Sequence, residues 1–261
     1  MITKVLDVTT LAAPYHLDEH LPNLHLVLSP DFVITAELPE GGAWDRLAAL
    51  YTALARAVSA PAADAKRPVV VCGDCCAALG VVAGLQTAGL DVGVVWFDAH
   101  GDLQTPETTT SGYLGGMPLR LLAGHRPEVI GQRLGLRPVP EEHILLIGAR
   151  DLDPPEVSYL ATSAIRQRDV TAEIAADLPD VPLYVHVDLD VLDPGEVAGL
   201  RYPAPDGPTA GQLADSLRAV LATGRVAAVG IACTWHAGYV QAARLGDLLT
   251  GVLNGPDWPG G

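Results

Sequence analysis

Short apolar runs alternate with longer amphipathic stretches along most of the chain. The apolar runs are rich in Val and Ile, which is typical of β-strands that are buried on both faces. They lie at Ile2–Val8, Val69–Cys72, Val92–Phe97, His143–Gly148, Leu183–Leu189 and Val226–Cys233. The amphipathic stretches predict helices over Ala43–Val58, Cys76–Ala88, Pro155–Ala161, Thr209–Ala222 and Gln241–Leu253. This alternation predicts an α/β architecture in which a parallel sheet carries helices on both faces.

Composition narrows the classes of protein that this pattern allows. The chain has 261 residues, 49% of them hydrophobic, and neither a repeat nor a Pro- or Gly/Ser-rich linker divides it, so we expect a single domain over residues 1–261. A formal net charge of -15 disfavours nucleic acids and anionic membranes, because both require basic patches. The apolar runs are too short to cross a bilayer and the N-terminus lacks the features of a signal peptide, so a cytoplasmic protein is expected.

Two of the predicted strands end in Asp or His residues at every second position. Asp98, His100 and Asp102 follow one strand, and Asp188 and Asp190 follow another. Residues two apart on an extended segment point to one face, and ligands of parallel sheets bind at the carboxyl ends of the strands. Four carboxylates in one partly buried cleft require cations to neutralise them. The spacing therefore predicts one or two divalent metal ions; the alternative is that these are surface turn residues.

The types of ligand indicate which metal and which chemistry. Carboxylates with one imidazole suit a hard or borderline ion such as Mn²⁺ better than they suit a thiolate-rich zinc site. Two ions about 3.5–4 Å apart lower the pKa of a shared water and generate hydroxide near neutral pH. The reaction class that these residues predict is hydrolysis.

Three segments resemble a known family. The runs 98–102 (Asp-Ala-His-Gly-Asp) and 188–194 (Asp-Leu-Asp-Val-Leu-Asp-Pro) are similar to the two metal motifs of the arginase/ureohydrolase family, and 73–76 (Gly-Asp-Cys-Cys) lies at the position of a third. The resemblance implies a three-layer α/β/α arginase-like fold with a mainly parallel eight-stranded sheet. It also implies a cofactor of two Mn²⁺ ions and hydrolysis of the C–N bond of a guanidino or amidino group.

The resemblance also assigns metal ligands. Asp98 and Asp188 would bridge the two ions, Asp102 would complete one ion, and His100 and Asp190 the other. Cys75 stands where the family has a metal-binding His, and a thiolate is a softer ligand than Mn²⁺ ordinarily favours. One alternative is that Cys75 is a buried cysteine that binds no metal. The other is a redox pair with Cys72, since the two residues have the spacing of a C-x-x-C motif.

The resemblance places substrate-binding residues in two further segments. Gln104, Thr109 and Ser111 fall on positions that hold the α-carboxylate of an amino acid in arginases, with Tyr113 in place of an Asn. Asp153 falls on the position of an Asp that helps to bind the α-amino group. The alternative for Asp153 is a residue that begins a helix.

Other positions depart from the family pattern. Gly115 occupies the place of the catalytic His, and Cys233 takes the place of the Glu that pairs with the guanidinium, Thr234 being the other candidate for that place. His186 shares strand parity with the second acidic pair, so it is a candidate acid or a donor to a metal ligand, with a core histidine as the alternative. Asp102 and His186 are the predicted catalytic residues.

These observations lead to one functional hypothesis and two alternatives. The hypothesis is a two-manganese hydrolase that converts an arginine-like amino acid, modified on the guanidine as in Nω-hydroxy-arginine, to a urea and ornithine. One alternative is a ureohydrolase of another amidine, such as agmatine, a guanidino acid or a formimino compound. The other is a catalytically silent arginase homologue. The expected partner is a small guanidino substrate, and the family resemblance is consistent with a homo-oligomer.

Overall fold

The computed structural model describes residues 8–21, 24, 28–232, 242–255 and 258. The strands within these residues are β1 (Val8–Ala13), β2 (Tyr15–His16), β3 (Glu19–His20), β4 (Phe32–Val33), β5 (Arg67–Cys72), β6 (Gly93–Phe97), β7 (Ile144–Ile147), β8 (Arg166–Arg168), β9 (Leu183–Asp188) and β10 (Val226–Ala232). Eight of them form one sheet in the order β4-β1-β5-β10-β9-β6-β7-β8, and every pairing in it is parallel. The other two, β2 and β3, form a short antiparallel hairpin.

Helices cover both faces of the sheet, as the apolar runs predicted. The helices within the described residues are α1 (Ala43–Ala63), α2 (Ala77–Thr87), α3 (Pro118–Leu122), α4 (Gly131–Leu134), α5 (Pro154–Leu160), α6 (Ala210–Leu221) and α7 (Ala242–Leu253). Alternate residues of one strand serve opposite faces: Trp96 packs in the core with α1 and α2, whereas Val95 packs in the core with α6 and α7. The prediction of a three-layer α/β/α fold is confirmed. No helix in these ranges is long and apolar enough to cross a membrane.

The observed elements depart from the predicted ones mainly at the sheet edges. The first strand was predicted over Ile2–Val8 but is found at Val8–Ala13, and residues 1–7 lie outside the described ranges. The pattern missed β4 and β8 altogether. β4 has only two residues, Phe32 and Val33, which is too short to stand out as a strand, and β8 reads Arg-Gln-Arg, which contains no apolar residue.

Strand order determines where a ligand can bind. The chain passes from β5 to β6 across the sheet and later returns to place β9 and β10 between them. The carboxyl ends of β5, β9 and β6 therefore lie near one another at the centre of one edge. Crevices outside the carboxyl ends of such rearranged strands are where open α/β sheets bind ligands.

Candidate metal centre and substrate cavity

A cavity of about 220 Å³ opens at this central edge of the sheet. We call its six metal-ligand candidates the floor: Cys75, Asp98, His100, Asp102, Asp188 and Asp190. Five other lining residues are more exposed than the floor, and we call them the rim: Thr109, Ser111, Tyr113, Arg201 and Tyr202. The floor residues lie at the ends of β5, β6 and β9 or within five positions after them, whereas the rim residues lie on loops. The cavity thus combines side chains placed by the sheet with side chains placed by connections.

Asp98 is the centre of the floor. Its Oδ2 accepts a hydrogen bond from Trp96 Nε1 at 3.0 Å, and its Oδ1 accepts one from the backbone N–H of His100 at 2.7 Å. The Nδ1 atom of His100 lies 3.3 Å from Asp98 Oδ1 and 3.1 Å from Asp190 Oδ2. The backbone N–H of Ala99 donates to Asp190 Oδ1 at 3.2 Å. The turn after β6 is therefore bonded to the turn after β9, which brings the two acidic motifs together as predicted.

Two overlapping groups of ligand atoms result. The ligand atoms of Cys75, Asp98 and Asp188 lie within 4.8 Å of one another, and so do those of Asp98, His100 and Asp190. Two ligand atoms at right angles, each about 2.1 Å from a small divalent ion, are about 3 Å apart. The distances from His100 fit that arrangement. Since Asp98 belongs to both groups, two neighbouring cations would share its carboxylate.

Asp102 belongs to neither close group, yet it is strongly constrained. Its backbone is in the left-handed region with a φ of +52°, and its side chain is 5% exposed. Its Oδ2 has no hydrogen-bond partner within the described residues. A buried carboxylate oxygen without a partner is costly, and strained backbone is concentrated at functional sites. The unpartnered oxygen fits the role of a cation ligand.

The electrostatics of the floor point the same way. Burial, followed by neighbouring carboxylates, raises the pKa of Asp102 and of Asp188, and raises that of Asp190 to about 7. Burial also opposes ionisation of Asp98, but hydrogen bonds and the charge of His100 bring its pKa below the usual value. Burial opposes protonation of His100, whereas Asp190 and Asp98 raise its pKa to about 12. Divalent cations would remove this repulsion, so the donor set fits a metal centre.

Cys75 points into the floor. Its Sγ lies 2.9 Å from Asp188 Oδ2 and 3.9 Å from Asp98 Oδ2. Burial and the nearby carboxylates raise the pKa of the thiol, and coordination to a cation would reverse that preference by deprotonating it. The thiol of Cys72 instead contacts two backbone carbonyls. The two thiols have different partners, which favours the metal-ligand interpretation of Cys75 over a redox pair.

Asp74 is a structural member of the same turn. Its carboxylate is buried and accepts hydrogen bonds from the backbone N–H groups of Leu17 at 2.6 Å and Cys76 at 2.8 Å. Burial raises the pKa of Asp74 to about 6 in spite of these bonds. The residue joins the turn before α2 to the β2–β3 hairpin and so fixes the position of Cys75.

His186 lies beneath the floor and does not line the cavity. It is fully buried, its ring stacks on Trp96 with centroids 3.7 Å apart, and its Nδ1 lies 3.0 Å from the Tyr184 hydroxyl. Burial lowers the pKa of His186 to about 3, so the ring is neutral. Because His186 and Asp188 are two positions apart on β9, their side chains point to the same face of the sheet. The ring of Trp96 nevertheless stacks on His186, which does not line the cavity. This geometry favours the core-histidine alternative over a catalytic role.

Gln104 and Asp153 form one wall of the cavity. Gln104 Nε2 donates to Asp153 Oδ2 at 2.8 Å. Asp153 is also the N-cap residue of α5, and Glu156 Oε2 accepts a hydrogen bond from its backbone N–H at 2.9 Å. The two interpretations of Asp153 are therefore compatible, since a helix-capping residue lines the cavity as well. Glu156 also contacts the segment that carries Asp102, because its Oε1 accepts a hydrogen bond from the backbone N–H of Leu103 at 2.9 Å.

The rim presents hydroxyl groups. Thr109 Oγ1 accepts from the backbone N–H of Gly112 at 3.0 Å, and Ser111 Oγ accepts from that of Tyr113 at 3.2 Å. The two hydroxyl oxygens lie 3.5 Å apart, so either hydroxyl can donate to the other or to a ligand. The Tyr113 ring fills the space above Gly115, where an added Cβ would lie 2.3 Å from the ring carbons. The position at which the family resemblance expects a His side chain is occupied here by the phenol of Tyr113.

Sequence reasoning missed several residues around this site. Arg201 and Tyr202 line the cavity, and His16 bridges Arg201 to Tyr113 from behind. His16 and Arg201 are 185 residues apart in the chain, so no local pattern links them. Trp96, by contrast, could have been found from the sequence. It precedes Asp98 by two positions, and residues two apart on a strand point to the same face, so a contact between them could be expected.

Arg150 ties the cavity walls together. Its guanidinium donates to the backbone carbonyls of Pro205, Gly148, Val191, Asp190, Leu192 and Ala204. These carbonyls belong to the segment after β7, the turn after β9 and the loop that follows Arg201. Cys233, predicted to bind substrate, and Thr234 lie outside the described residues.

Comparison with known proteins identifies the family. A model of the arginase family matches residues 4–233 of this chain. The match covers most of the chain, which therefore belongs to the arginase family, as its acidic motifs predicted.

Particular relatives refine this result. The N(omega)-hydroxy-L-arginine amidinohydrolase of Streptomyces lavendulae is 36% identical over 143 residues, which are 53% of this chain and 50% of that protein. The arginase of Bacillus subtilis (strain 168) is 34% identical over 167 residues, or 59% of this chain and 56% of that protein. The matched region thus spans about half the length of these curated relatives. The arginase structure from Bacillus caldovelox has a similar fold, with a TM-score of 0.82 at 24% identity over 96% of this chain and 98% of that one.

Proposed function

We propose that this protein is a hydrolase that uses two manganese ions to cleave the guanidino C–N bond of an arginine-like amino acid. The observation that carries the proposal is the overlap of two ligand groups at Asp98, in a chain of the arginase family. Two bound divalent cations would lower the pKa of a shared water toward neutrality and thereby supply hydroxide for hydrolysis. The products are a urea, or a substituted urea, and ornithine.

The floor residues have distinct roles in this proposal. Asp98, which belongs to both groups, would be shared by the two ions, and Asp188 would be the second shared ligand, as the family resemblance implies. His100 and Asp190 would complete one ion, and Cys75 with Asp102 the other. Trp96 and the backbone N–H groups of the turns orient the carboxylates, which outer partners of metal ligands commonly do.

The walls support an amino-acid substrate. Asp153 presents a carboxylate Oδ2 to the cavity beside Gln104, in the place suited to an α-ammonium group. Thr109 and Ser111 offer hydroxyl donors, which suit an α-carboxylate. A substrate without an amino-acid head would leave all four groups unused.

The proposed modification of the guanidine is supported by the relative from Streptomyces lavendulae, whose name specifies Nω-hydroxy-L-arginine. A hydroxylated guanidine is less basic than arginine and carries an additional oxygen that can accept a hydrogen bond. We therefore expect hydrolysis of Nω-hydroxy-L-arginine to exceed that of L-arginine.

The experiment measures release of the amine product, which is ornithine from either amino acid and butane-1,4-diamine from agmatine, after the purified protein has been loaded with Mn²⁺. Nω-hydroxy-L-arginine, L-arginine and agmatine are compared, and bound metal is counted by elemental mass spectrometry. Ornithine release from an α-amino acid with two ions bound per chain is the expected result. Two bound ions without turnover of either amino acid contradict the substrate assignment. Hydrolysis of agmatine alone would show that the substrate is an amidine without the α-carboxylate.

A further inference from the structure

Arg201 is a cation in a cavity lined with carboxylates. Acidic side chains of both the floor and the walls face the same space. Most other arginines of the described chain pair with an Asp or a Glu, as Arg133 does with Asp45. Arg201 makes no ion pair with any carboxylate in the ranges that the structure describes, and His16 is the partner that it has there. Its positive charge is thus available to an anionic group.

The contact with His16 determines the direction of a chain of hydrogen bonds. Arg201 NH1 lies 3.1 Å from His16 Nδ1, and a guanidinium can only donate, so Nδ1 accepts. Burial and the charge of Arg201 lower the pKa of His16 and favour its neutral form, although Glu19 and Asp18 act in the opposite sense. The neutral ring then carries its hydrogen on Nε2, which lies 3.0 Å from the Tyr113 hydroxyl.

Tyr113 is consequently left with a hydrogen to donate. Because His16 Nε2–H donates to the phenol oxygen, the O–H of Tyr113 is directed elsewhere, and the ring lines the cavity. The ring is held by Tyr202, 5.1 Å away between centroids, and by the absence of a side chain at Gly115. Arg201 and Tyr113 therefore present donors to the same space from two different loops.

We propose that Arg201 and Tyr113, aligned by His16, bind the carboxylate of the substrate and make this cavity selective for an α-amino acid over its decarboxylated counterpart. A carboxylate accepts several hydrogen bonds and pairs well with a guanidinium. The hydroxyl groups of Thr109 and Ser111, on the same loop as Tyr113, would add to this contact. The inference rests on the proposed function, since it specifies which end of the proposed substrate the rim recognises. Arg201 is the specificity-determining residue, and His16 is a positioning residue.

The test compares two ligands that differ only in the carboxylate: L-ornithine, the product of the proposed reaction, and butane-1,4-diamine. Their affinities for Mn²⁺-loaded protein are measured by titration calorimetry. Wild-type protein should bind ornithine more tightly, and R201Q should reduce the ratio of the two affinities by about tenfold to 100-fold, as expected for charge-assisted hydrogen bonds. R201K keeps the charge without the planar fork and should give an intermediate ratio. R133Q, which removes a surface arginine, should keep the wild-type ratio.

His16 has its own readout. H16A should lower the ratio severalfold, and H16Q should restore most of it, because the amide can accept from Arg201 and donate to Tyr113. A role limited to folding would weaken both ligands equally and leave the ratio unchanged. Circular dichroism of each variant checks that the fold is retained, and R201K serves if R201Q does not fold.

The outcomes separate this inference from the proposed function. A wild-type ratio near one, or an R201Q ratio equal to that of wild type, overturns the inference even if hydrolysis of an arginine-like substrate is observed. A wild-type preference for ornithine that is lost in R201Q supports the inference even if turnover is not detected, because the titration requires no reaction.

Discussion

The floor and the rim of the cavity are built by different means. Every floor residue lies within five positions of a strand end. The floor residues of each acidic motif are two or four residues apart in the chain. The rim depends on contacts between distant segments: Tyr113 and His16 are 97 residues apart, and Arg201 and His16 are 185 apart. The floor is therefore a property of three short segments that follow β5, β6 and β9, whereas the rim is a property of the whole fold. Under the proposed function, metal binding and substrate choice therefore have separate structural determinants.

The largest expected effect comes from changing the floor. D188N should weaken Mn²⁺ binding by more than the roughly 10–100-fold that is lost when an outer partner of a ligand is removed, because it removes a predicted bridging carboxylate. D193N, in the same segment but outside the cavity lining, is the matched control and should bind metal normally. Elemental mass spectrometry and ornithine release measure the two effects. Equal metal content in both variants would show that Asp188 is no more important for metal binding than Asp193, which lies outside the cavity lining.

The same variant sharpens the electrostatic argument. After chelation of all metal at pH 8, D188N should unfold at a higher urea concentration than wild type, since burial and like charges disfavour the ionised carboxylate. Added Mn²⁺ should stabilise wild type much more than D188N. Urea titrations with and without metal test whether the floor is repulsive until cations bind.

A second prediction concerns His186 beneath the floor. Its pKa of about 3 lies below its usual value, so the unfolded chain binds a proton that the folded one excludes. Stability from this group is therefore present above pH 6.5 and lost as the pH falls, by about 2 kcal/mol at pH 5 at 1.36 kcal/mol per pKa unit. H186F should remove that part of the pH dependence, as measured by urea unfolding, while H125Q on the surface should not.

H186F also tests the predicted catalytic role. Phe keeps the stacking on Trp96 but cannot transfer a proton. Ornithine release at pH 8 should stay within severalfold of wild type if His186 only packs beneath Asp98. A loss of several orders of magnitude with the fold intact would instead establish a catalytic function.

The smallest expected effect comes from two adjacent glycines near the Tyr113 ring, Gly115 and Gly116, which form a matched pair. The Cβ of G115A would meet the Tyr113 ring at 2.3 Å, whereas that of G116A would lie 3.7 Å from Gln104 Cγ, an ordinary contact. G115A should lose about 1–3 kcal/mol of stability through overpacking and should weaken ornithine binding as the ring moves. G116A should do neither. Urea unfolding and calorimetry compare them, and identical behaviour would show that the ring is not confined.

Sequence reasoning predicted the parts of the molecule that depend on local pattern. The central strands were found because their apolar runs serve two buried faces, and Asp98, His100 and Asp190 were brought together because strand ends and two-residue spacing determine direction. Edge strands of two or three residues bury little, so β4 and β8 left no comparable signal.

Parity alone was insufficient for His186. It identified the side of the strand but not the depth, and the Trp96 ring on the adjacent strand lies over the imidazole. The role of Tyr113 in filling the space at Gly115, and its link to Arg201 through His16, require the register of segments from opposite ends of the chain. Such relations follow from tertiary structure and have no counterpart in spacing.

The guanidinium of Arg150 has a consequence for how such a cavity can change over generations. Its hydrogen bonds join residues 204–205 to the turn at 190–192, so the loop between them, residues 193–203, is held at both ends. Insertions or exchanges in that short loop can accumulate while the acidic turn stays in register. A lineage could thus diversify the molecules it accepts without rebuilding its catalytic centre, and a designer could graft alternative loops there with the same freedom.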